Sequence, residues 1–225
     1  MKQKIFIVIP AYNEEKSVGK VIKCLQKKGY YNIIVVDDGS KDRTFEIASK
    51  AGAITLRHII NRGLGGALGT GIKAALMEGA DIIVTFDADG QHDVNDIKKG
   101  VDIIEKNEAD VVIGSRLLNP KGMPLIRRIG NWGFNVITWL LFGVWSTDSQ
   151  SGLRFFSRKA AEKIRIRMNR MEASSEIIKE IGRNRLRMKE VPIKAIYTDY
   201  SMSRGQSSWN AFRILFKLII RKIMR

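Results

Sequence analysis

The stretch Ile82-Ile83-Val84-Thr85-Phe86-Asp87-Ala88-Asp89-Gly90-Gln91-His92 joins five residues fit for a sheet interior to a turn that carries two carboxylates. An apolar run of this length, rich in β-branched residues and closed by Asp and Gly, predicts a buried parallel strand. Asp87 and Asp89 then stand at its C-terminal end, the edge on which open α/β sheets hold their ligands. Two Asp at i and i+2, with Gln91 next in phase, offer hard oxygen donors at short range. Such a set suits Mg²⁺ or Mn²⁺, with coordination positions left for phosphate oxygens. An acidic turn after a strand has the same look, so the case rests on the neighbouring motifs.

Outward from this strand, residues 1–114 alternate regularly. Strand-like runs lie at 5–9, 33–36, 53–58, 82–86 and 111–113, with helix-patterned segments of about 10 to 16 residues between them. The alternation predicts an α/β, Rossmann-like and mostly parallel sheet with helices on both faces. Asn13 is placed to cap a helix opening with Glu14-Glu15, and Ser40 to cap the next after Asp37-Asp38-Gly39. The run Gly63-Leu64-Gly65-Gly66-Ala67-Leu68-Gly69 fails the dinucleotide fingerprint, because Leu68 stands where its third glycine is required. It reads instead as a helix start in which small residues allow close packing on the sheet. Cys24, the single cysteine, falls in an amphipathic helix pattern and is expected to be a small core residue, which suits a reducing compartment.

Charge divides the chain. The first 120 residues carry 17 Lys+Arg against 16 Asp+Glu, the remainder 22 against 7. A neutral half joined to a strongly basic one implies an anionic partner, either nucleic acid or lipid headgroups. Residues 129–145 contain no charged side chain but three of the four tryptophans, Trp132, Trp139 and Trp145. In this stretch Trp132, Val136, Trp139, Leu140 and Gly143 keep helical spacing, and Arg127-Arg128 precede it. That pattern predicts an interfacial helix over about 126–145, with indoles at headgroup depth. Residues 209–225 repeat the theme: Phe212, Leu215, Phe216, Ile219 and Ile223 form one face of a basic amphipathic helix, and Arg213, Lys217 and Arg221 another. No run of about 20 apolar residues and no signal peptide is evident, so peripheral attachment is expected, not a membrane span.

Pro10-Ala11-Tyr12-Asn13-Glu14-Glu15, Asp37-Asp38-Gly39-Ser40 and Asp87-Ala88-Asp89-Gly90-Gln91-His92 close three strands that would converge on one crevice. With Gly114-Ser115-Arg116, Arg127-Arg128, Asp148-Ser149-Gln150-Ser151-Gly152-Leu153-Arg154, Glu190-Val191-Pro192-Ile193 and Ser203-Arg204-Gly205-Gln206-Ser207, the chain resembles inverting family 2 glycosyltransferases of the GT-A fold. Within them it resembles the dolichol-phosphate, or polyprenyl-phosphate, mannose and glucose synthases over nearly its whole length.

The resemblance implies a GT-A domain at 1–208, with a nucleotide-sugar-binding half (1–114) and an acceptor half (115–208), followed by the 209–225 helix. It implies that Pro10, Ala11, Tyr12 and Glu14 line the nucleoside pocket, that Asp38 contacts the base and that Asp37 supports the loop. Asp87 would lie beside the nucleotide-sugar, with Asp89 and Gln91 holding Mg²⁺ or Mn²⁺ against the diphosphate. Arg116, Arg127 and Arg204 would handle the donor and acceptor phosphates, with Asn131, Ser151 and Gly152 shaping the acceptor site. Arg154 receives no definite role, and Leu153 replaces the Phe of many relatives. The partners implied are a nucleotide-sugar, a polyprenyl or dolichyl phosphate and the cytoplasmic face of the cell membrane, in service of protein glycosylation. UDP-glucose, UDP-N-acetylglucosamine and GDP-mannose remain open as donors, with Asp-Gly-Gln-His-Asp leaning toward UDP.

A phosphate acceptor also fits the residues present. Attack by an alcohol would call for a general base, yet His58 and His92 are the only histidines. A phosphomonoester, with a second pKa of about 6, is largely a dianion near pH 7 and needs none. Other readings have discriminators. A processive synthase would carry Gln-X-X-Arg-Trp, whereas Gln206-Ser207-Ser208-Trp209 lacks the arginine. A transferase acting on a sugar or protein hydroxyl would use a water-soluble acceptor. A nucleic-acid-binding module would employ the basic half but leave the crevice carboxylates without a purpose.

Overall fold

The computed structural model describes residues 3–120, 123, 125–169, 172–194 and 196, apart from the side chains of Ile126 and Arg127. Arg204 and the expected helix at 209–225 lie outside the described residues. Five strands fall where the apolar runs place them: β1 (Ile5–Ala11), β2 (Ile33–Asp37), β3 (Ile54–Arg57), β4 (Ile82–Thr85) and β5 (Val111–Ser115). Between them run α1 (Val18–Lys27), α2 (Thr44–Lys50), α3 (Leu64–Met77) and α4 (Ile97–Glu105). The second half adds α5 (Leu125–Phe142), β6 (Arg154–Ser157), α6 (Arg158–Lys163), α7 (Ala173–Arg183) and β7 (Met188–Pro192).

The sheet runs β3-β2-β1-β4-β6-β5-β7. Every described pairing is parallel except those of β6, which lies antiparallel between β4 and β5. Strand periodicity divides the core into two layers. Ile7 and Ile9 of β1 pack with Val18, Ile22 and Ile97 on one face, while Phe6 and Val8 pack with Leu68, Ile72 and Ile177 on the other. The order reverses at β1: α1 leads outward to β2, whereas α3 returns the chain across the opposite face to β4. A crevice opens at such a switch point. The glycine run does start a helix, α3, and it packs closely: a methyl group on Gly71 would overlap Val8.

Two expected helix caps are corrected. α1 begins at Val18, five residues past Asn13, and α2 at Thr44, four past Ser40. Asn13 adopts a left-handed backbone (φ 55°), its N–H donates to Ser40 Oγ (2.9 Å), and its Oδ1 accepts from the Lys41 N–H (2.9 Å). These side chains tie the β1–α1 and β2–α2 loops to each other, since a tertiary partner outcompetes the local cap. Cys24 is likewise exposed, because Val18, Val21, Ile22 and Leu25 form the buried stripe of α1 and position 24 lies off it.

Candidate active site

At the C-terminal ends of β1 and β2, beside the start of α3, a cavity of about 480 Å³ is lined by Pro10, Ala11, Tyr12, Asp38, Asn61, Gly63, Leu64 and Ala67. Four of the residues expected around a nucleoside therefore share one wall. Asp37 lies behind it, fully buried, accepting from the Ser40 N–H (3.0 Å) and facing Arg57 Nε at 3.1 Å. Glu14 does not line this cavity. Its carboxylate accepts from Ser17 Oγ (2.6 Å), and its charge acts on Asp89. A larger groove of about 800 Å³ behind α3 contains none of the expected residues.

Beyond β4 the carboxylates are close enough to affect each other. Burial pushes the Asp87 carboxyl upward, but the His92 hydrogen bond and the charges of His92, Arg154 and Arg116 outweigh it and hold the pKa below the usual range. His92 Nε2 lies 2.9 Å from Asp87 Oδ2, and its ring stands edge-on to Phe86 at 5.4 Å between centroids. Asp89 behaves oppositely: burial, then repulsion from Asp87, raises its pKa to about 6. Its Oδ1 accepts from the Gln91 N–H (2.9 Å). Asp87 and Asp89 repel each other, a charge pair that a cation held at Asp89 would relieve, and the Gln91 N–H bond sets that residue beside Asp89. No group of three or more His, Cys, Asp or Glu that could hold a metal occurs among the described residues. A cation here must complete its shell with water and diphosphate oxygens, which Mg²⁺ and Mn²⁺ accept.

The raised pKa has a testable sign. The proton on Asp89 is favoured in the fold up to pH about 6, so the cation-free protein should lose stability as pH rises through that value, and added Mn²⁺ should remove the loss. Below pH about 6 a proton competes for the same oxygens. Calorimetric Mn²⁺ affinity should fall there by about tenfold per pH unit.

Gly152 sits against Asp87 so closely that a methyl group would overlap its carboxylate, and the Gly152 carbonyl accepts from Thr85 Oγ1 (2.7 Å). Ser151 beside it is fully buried, as is Arg154, whose pKa burial lowers to about 10 despite Asp87 and Asp148. Among the described residues, Ser151 Oγ, Arg154 Nε and His92 Nδ1 have no hydrogen-bond partner. Arg116 grips Asp148 with Nε (2.7 Å) and Nη2 (2.8 Å), so that edge of its guanidinium is engaged within the protein. Asp148 belongs to a loop that Glu190 holds through the Thr147 N–H and the Ser146 and Thr147 hydroxyls.

α5 is inside out. Trp132 and Leu140 are 60% and 63% exposed, with Leu125, Ile129, Trp139 and the following Trp145 also outward, whereas Asn135 and Thr138 are 2% exposed. Asn135 Oδ1 accepts from the Ser149 N–H and Oγ (both 3.0 Å), and its Nδ2 donates to the Thr147 carbonyl (2.5 Å). The polar face thus clamps the Asp148 loop, and the apolar face points away from the protein. Asn131 lies one turn before Asn135, half-buried, and Arg127 lies in the first turn of α5. No described helix is long and apolar enough to cross a membrane.

The model of Glycosyl transferase family 2 matches residues 6–165. The chain belongs to this family. It is a glycosyltransferase, and known members resemble it over most of its length. It is 44% identical to the UDP-N-acetylglucosamine–dolichyl-phosphate N-acetylglucosaminyltransferase of Methanococcus voltae, over 97% of this chain and 96% of that protein. It is 56% identical to an uncharacterised protein of Methanocaldococcus jannaschii, over 99% and 93%. Human dolichyl-phosphate β-glucosyltransferase is 32% identical over 72% of this chain and 57% of its own. Among solved structures, the glucosyl-3-phosphoglycerate synthase of Mycobacterium tuberculosis, in complex with Mn²⁺, UDP and phosphoglyceric acid, superposes with a TM-score of 0.69. That match has 19% identity and covers 96% of this chain and 78% of that one, and it shows a shared fold.

His58, His92 and Arg154, to which the sequence assigned no definite role, stand against the expected site carboxylates Asp38 and Asp87. Their only signal was position: His58 directly follows β3 beside the Asp37-Asp38 pair, His92 follows Asp87 by five residues, and Arg154 opens β6 ahead of two phenylalanines.

Proposed function

We propose that this glycosyltransferase transfers a sugar, with inversion, from a uridine-diphosphate donor to a polyprenyl or dolichyl phosphate at a membrane surface, using Mg²⁺ or Mn²⁺. The observation that carries the reading is the inverted α5. Its polar face holds the Asp148 loop beside Asp87, and its indoles face outward, so a lipid surface and the crevice share one helix. The 44% identical relative supports UDP-N-acetylglucosamine as the donor and dolichyl phosphate as the acceptor.

The nucleoside would occupy the Tyr12–Asp38 cavity and the diphosphate the neighbourhood of Asp89 and Gln91. When bound there, the cation neutralises the departing diphosphate. Asp87 presents an ionised carboxylate to the sugar, oriented by His92. The acceptor phosphate dianion attacks the anomeric carbon from the face opposite the diphosphate. A new C–O bond forms as the old one breaks, and its electron pair leaves on the diphosphate oxygen. No proton has to be removed. The charges of Arg116, Arg127 and Arg204 would keep the two anions together, with planar forks suited to phosphate.

The test offers UDP-N-acetylglucosamine, UDP-glucose and GDP-mannose with polyprenyl phosphate in liposomes and Mn²⁺. Lipid-linked product with a UDP-sugar is expected. Transfer only to a water-soluble hydroxyl acceptor would overturn the lipid acceptor. The membrane contact has its own test: Trp132→Ala with Trp139→Ala should lower liposome partition by about tenfold or more, since each indole buries a large apolar area. Equal sedimentation with liposomes would return α5 to an ordinary surface helix.

A further inference from the structure

β3 ends at Arg57 and its neighbour β2 at Asp37, opposite each other in the parallel register, so His58 and Asp38 are the first residues beyond the two strands. The His58 N–H donates to the Asp37 carbonyl (2.9 Å), which aims the imidazole along the next carboxylate. That ring is only 10% exposed. Its Nδ1 is 2.7 Å from Asp38 Oδ1 and its Nε2 is 2.9 Å from Thr70 Oγ1 on α3, so it is gripped at both ends. A carboxylate only accepts, so Nδ1 carries the proton toward Asp38. In the neutral ring Nε2 then accepts from the Thr70 hydroxyl.

Asp38 has further donors. Its Oδ1 also takes the Arg62 N–H (2.9 Å) and its Oδ2 the Gly63 N–H (2.6 Å). A carboxylate has about four acceptor positions, two on each oxygen. Both positions on Oδ1 are filled by His58 and Arg62, and one on Oδ2 by Gly63. Among the described residues no donor takes the fourth, on a residue that lines the cavity beside Tyr12.

We propose that His58 is a positioning residue for donor selection: by locking Asp38 it turns the last Oδ2 acceptor position into a fixed partner for a nucleobase N–H. The inference rests on the reading of this cavity as the nucleoside pocket. Uracil carries a proton on N3, where cytosine carries a lone pair that a fixed carboxylate repels. Without His58, Oδ1 regains an acceptor position and the carboxylate can rotate toward the amides of the 61–63 loop. Discrimination should then weaken before catalysis does, because His58 does not touch the reacting atoms.

The test is calorimetry of UDP, GDP and CDP with Mn²⁺ on the wild type, His58→Asn, His58→Gln and Thr70→Val, with thermal midpoints recorded alongside. Asn places an amide nitrogen near the Nδ1 position, whereas Gln reaches past it toward the Nε2 position. His58→Asn should keep UDP affinity within about threefold. His58→Gln should lose about tenfold in UDP affinity and narrow the UDP-to-CDP ratio, with donor KM rising more than kcat falls. Thr70→Val, which frees the far end of the ring, should narrow the ratio by about threefold. Equal losses for Asn and Gln at an unchanged UDP-to-CDP ratio would reduce His58 to a structural filler, and unaltered binding by all variants would leave it without a role. Either result overturns the inference while the pocket reading stands. A wild type that binds no nucleotide overturns the pocket reading, and the inference with it.

Discussion

Replacing Asp89 by alanine should lower kcat by about a thousandfold while leaving the protein folded. Charge stabilisation at a departing oxyanion is commonly the largest single contribution to catalysis, and loss of one such donor alone is worth about 10²- to 10³-fold. The stability side runs the other way. Asp89 is half-buried, and burial, then repulsion from Asp87, raises its pKa to about 6, so its removal takes an unfavourably placed charge out of the fold near pH 7 and should not lower the thermal midpoint. EDTA on the wild type should reproduce the loss, and Mn²⁺ should restore the wild type but not the variant. Full turnover in excess chelator would remove the cation from the reaction and Asp89 from its assigned role.

Gly152→Ala should be nearly as damaging, for a different reason. The added methyl would overlap the carboxylate of Asp87, the free end of a side chain, which can swing away at modest cost to the fold. Swinging away separates Asp87 from His92 Nε2 and from the position the sugar requires, so a loss of about a hundredfold in kcat is expected, against a stability change of about 1 kcal/mol. Gly65→Ala is the control. There the methyl would overlap the backbone carbonyl of Met168, which has no rotamer to escape into, so stability should fall by about 1 to 3 kcal/mol. Thermal melts and single-turnover kinetics on both variants separate the two effects. Wild-type turnover in Gly152→Ala would show that Asp87 tolerates displacement and is not the group that meets the sugar.

The first half of the fold was legible because buried parallel strands announce themselves as unbroken apolar runs, and because Asp37, Asp38, Asp87 and Asp89 fall at or just after the ends of such runs. β6 and β7 were hidden: four residues opening on Arg154, and an edge strand, Met-Lys-Glu-Val-Pro, that carries two charges. The outward stripe of α5 could be read from helical spacing, but not what its polar face does. Asn135 meets Ser149 fourteen residues later, a pairing that no local pattern encodes. Asn13 and Ser40 misled for a related reason, since each has the chemistry of a cap but a partner in the other's loop. His58 and His92 show the same limit. Each is an isolated residue until the sheet sets it against a carboxylate from another strand or turn.

The position of β6 has a consequence for anyone who would rebuild this enzyme. β6, from the second half of the chain, is threaded between β4 and β5 of the first half, antiparallel to both. A fragment stopped at residue 114 would lose β6 and β7, both partners of β5, and would leave one edge of β4 and both edges of β5 open to self-association. If the proposed acceptor residues are correct, their specificity should therefore resist exchange between relatives by cutting and splicing at residue 114. Chimaeras must carry β6 together with β4 and β5, or change the α5 and 147–152 surface residue by residue within an intact sheet.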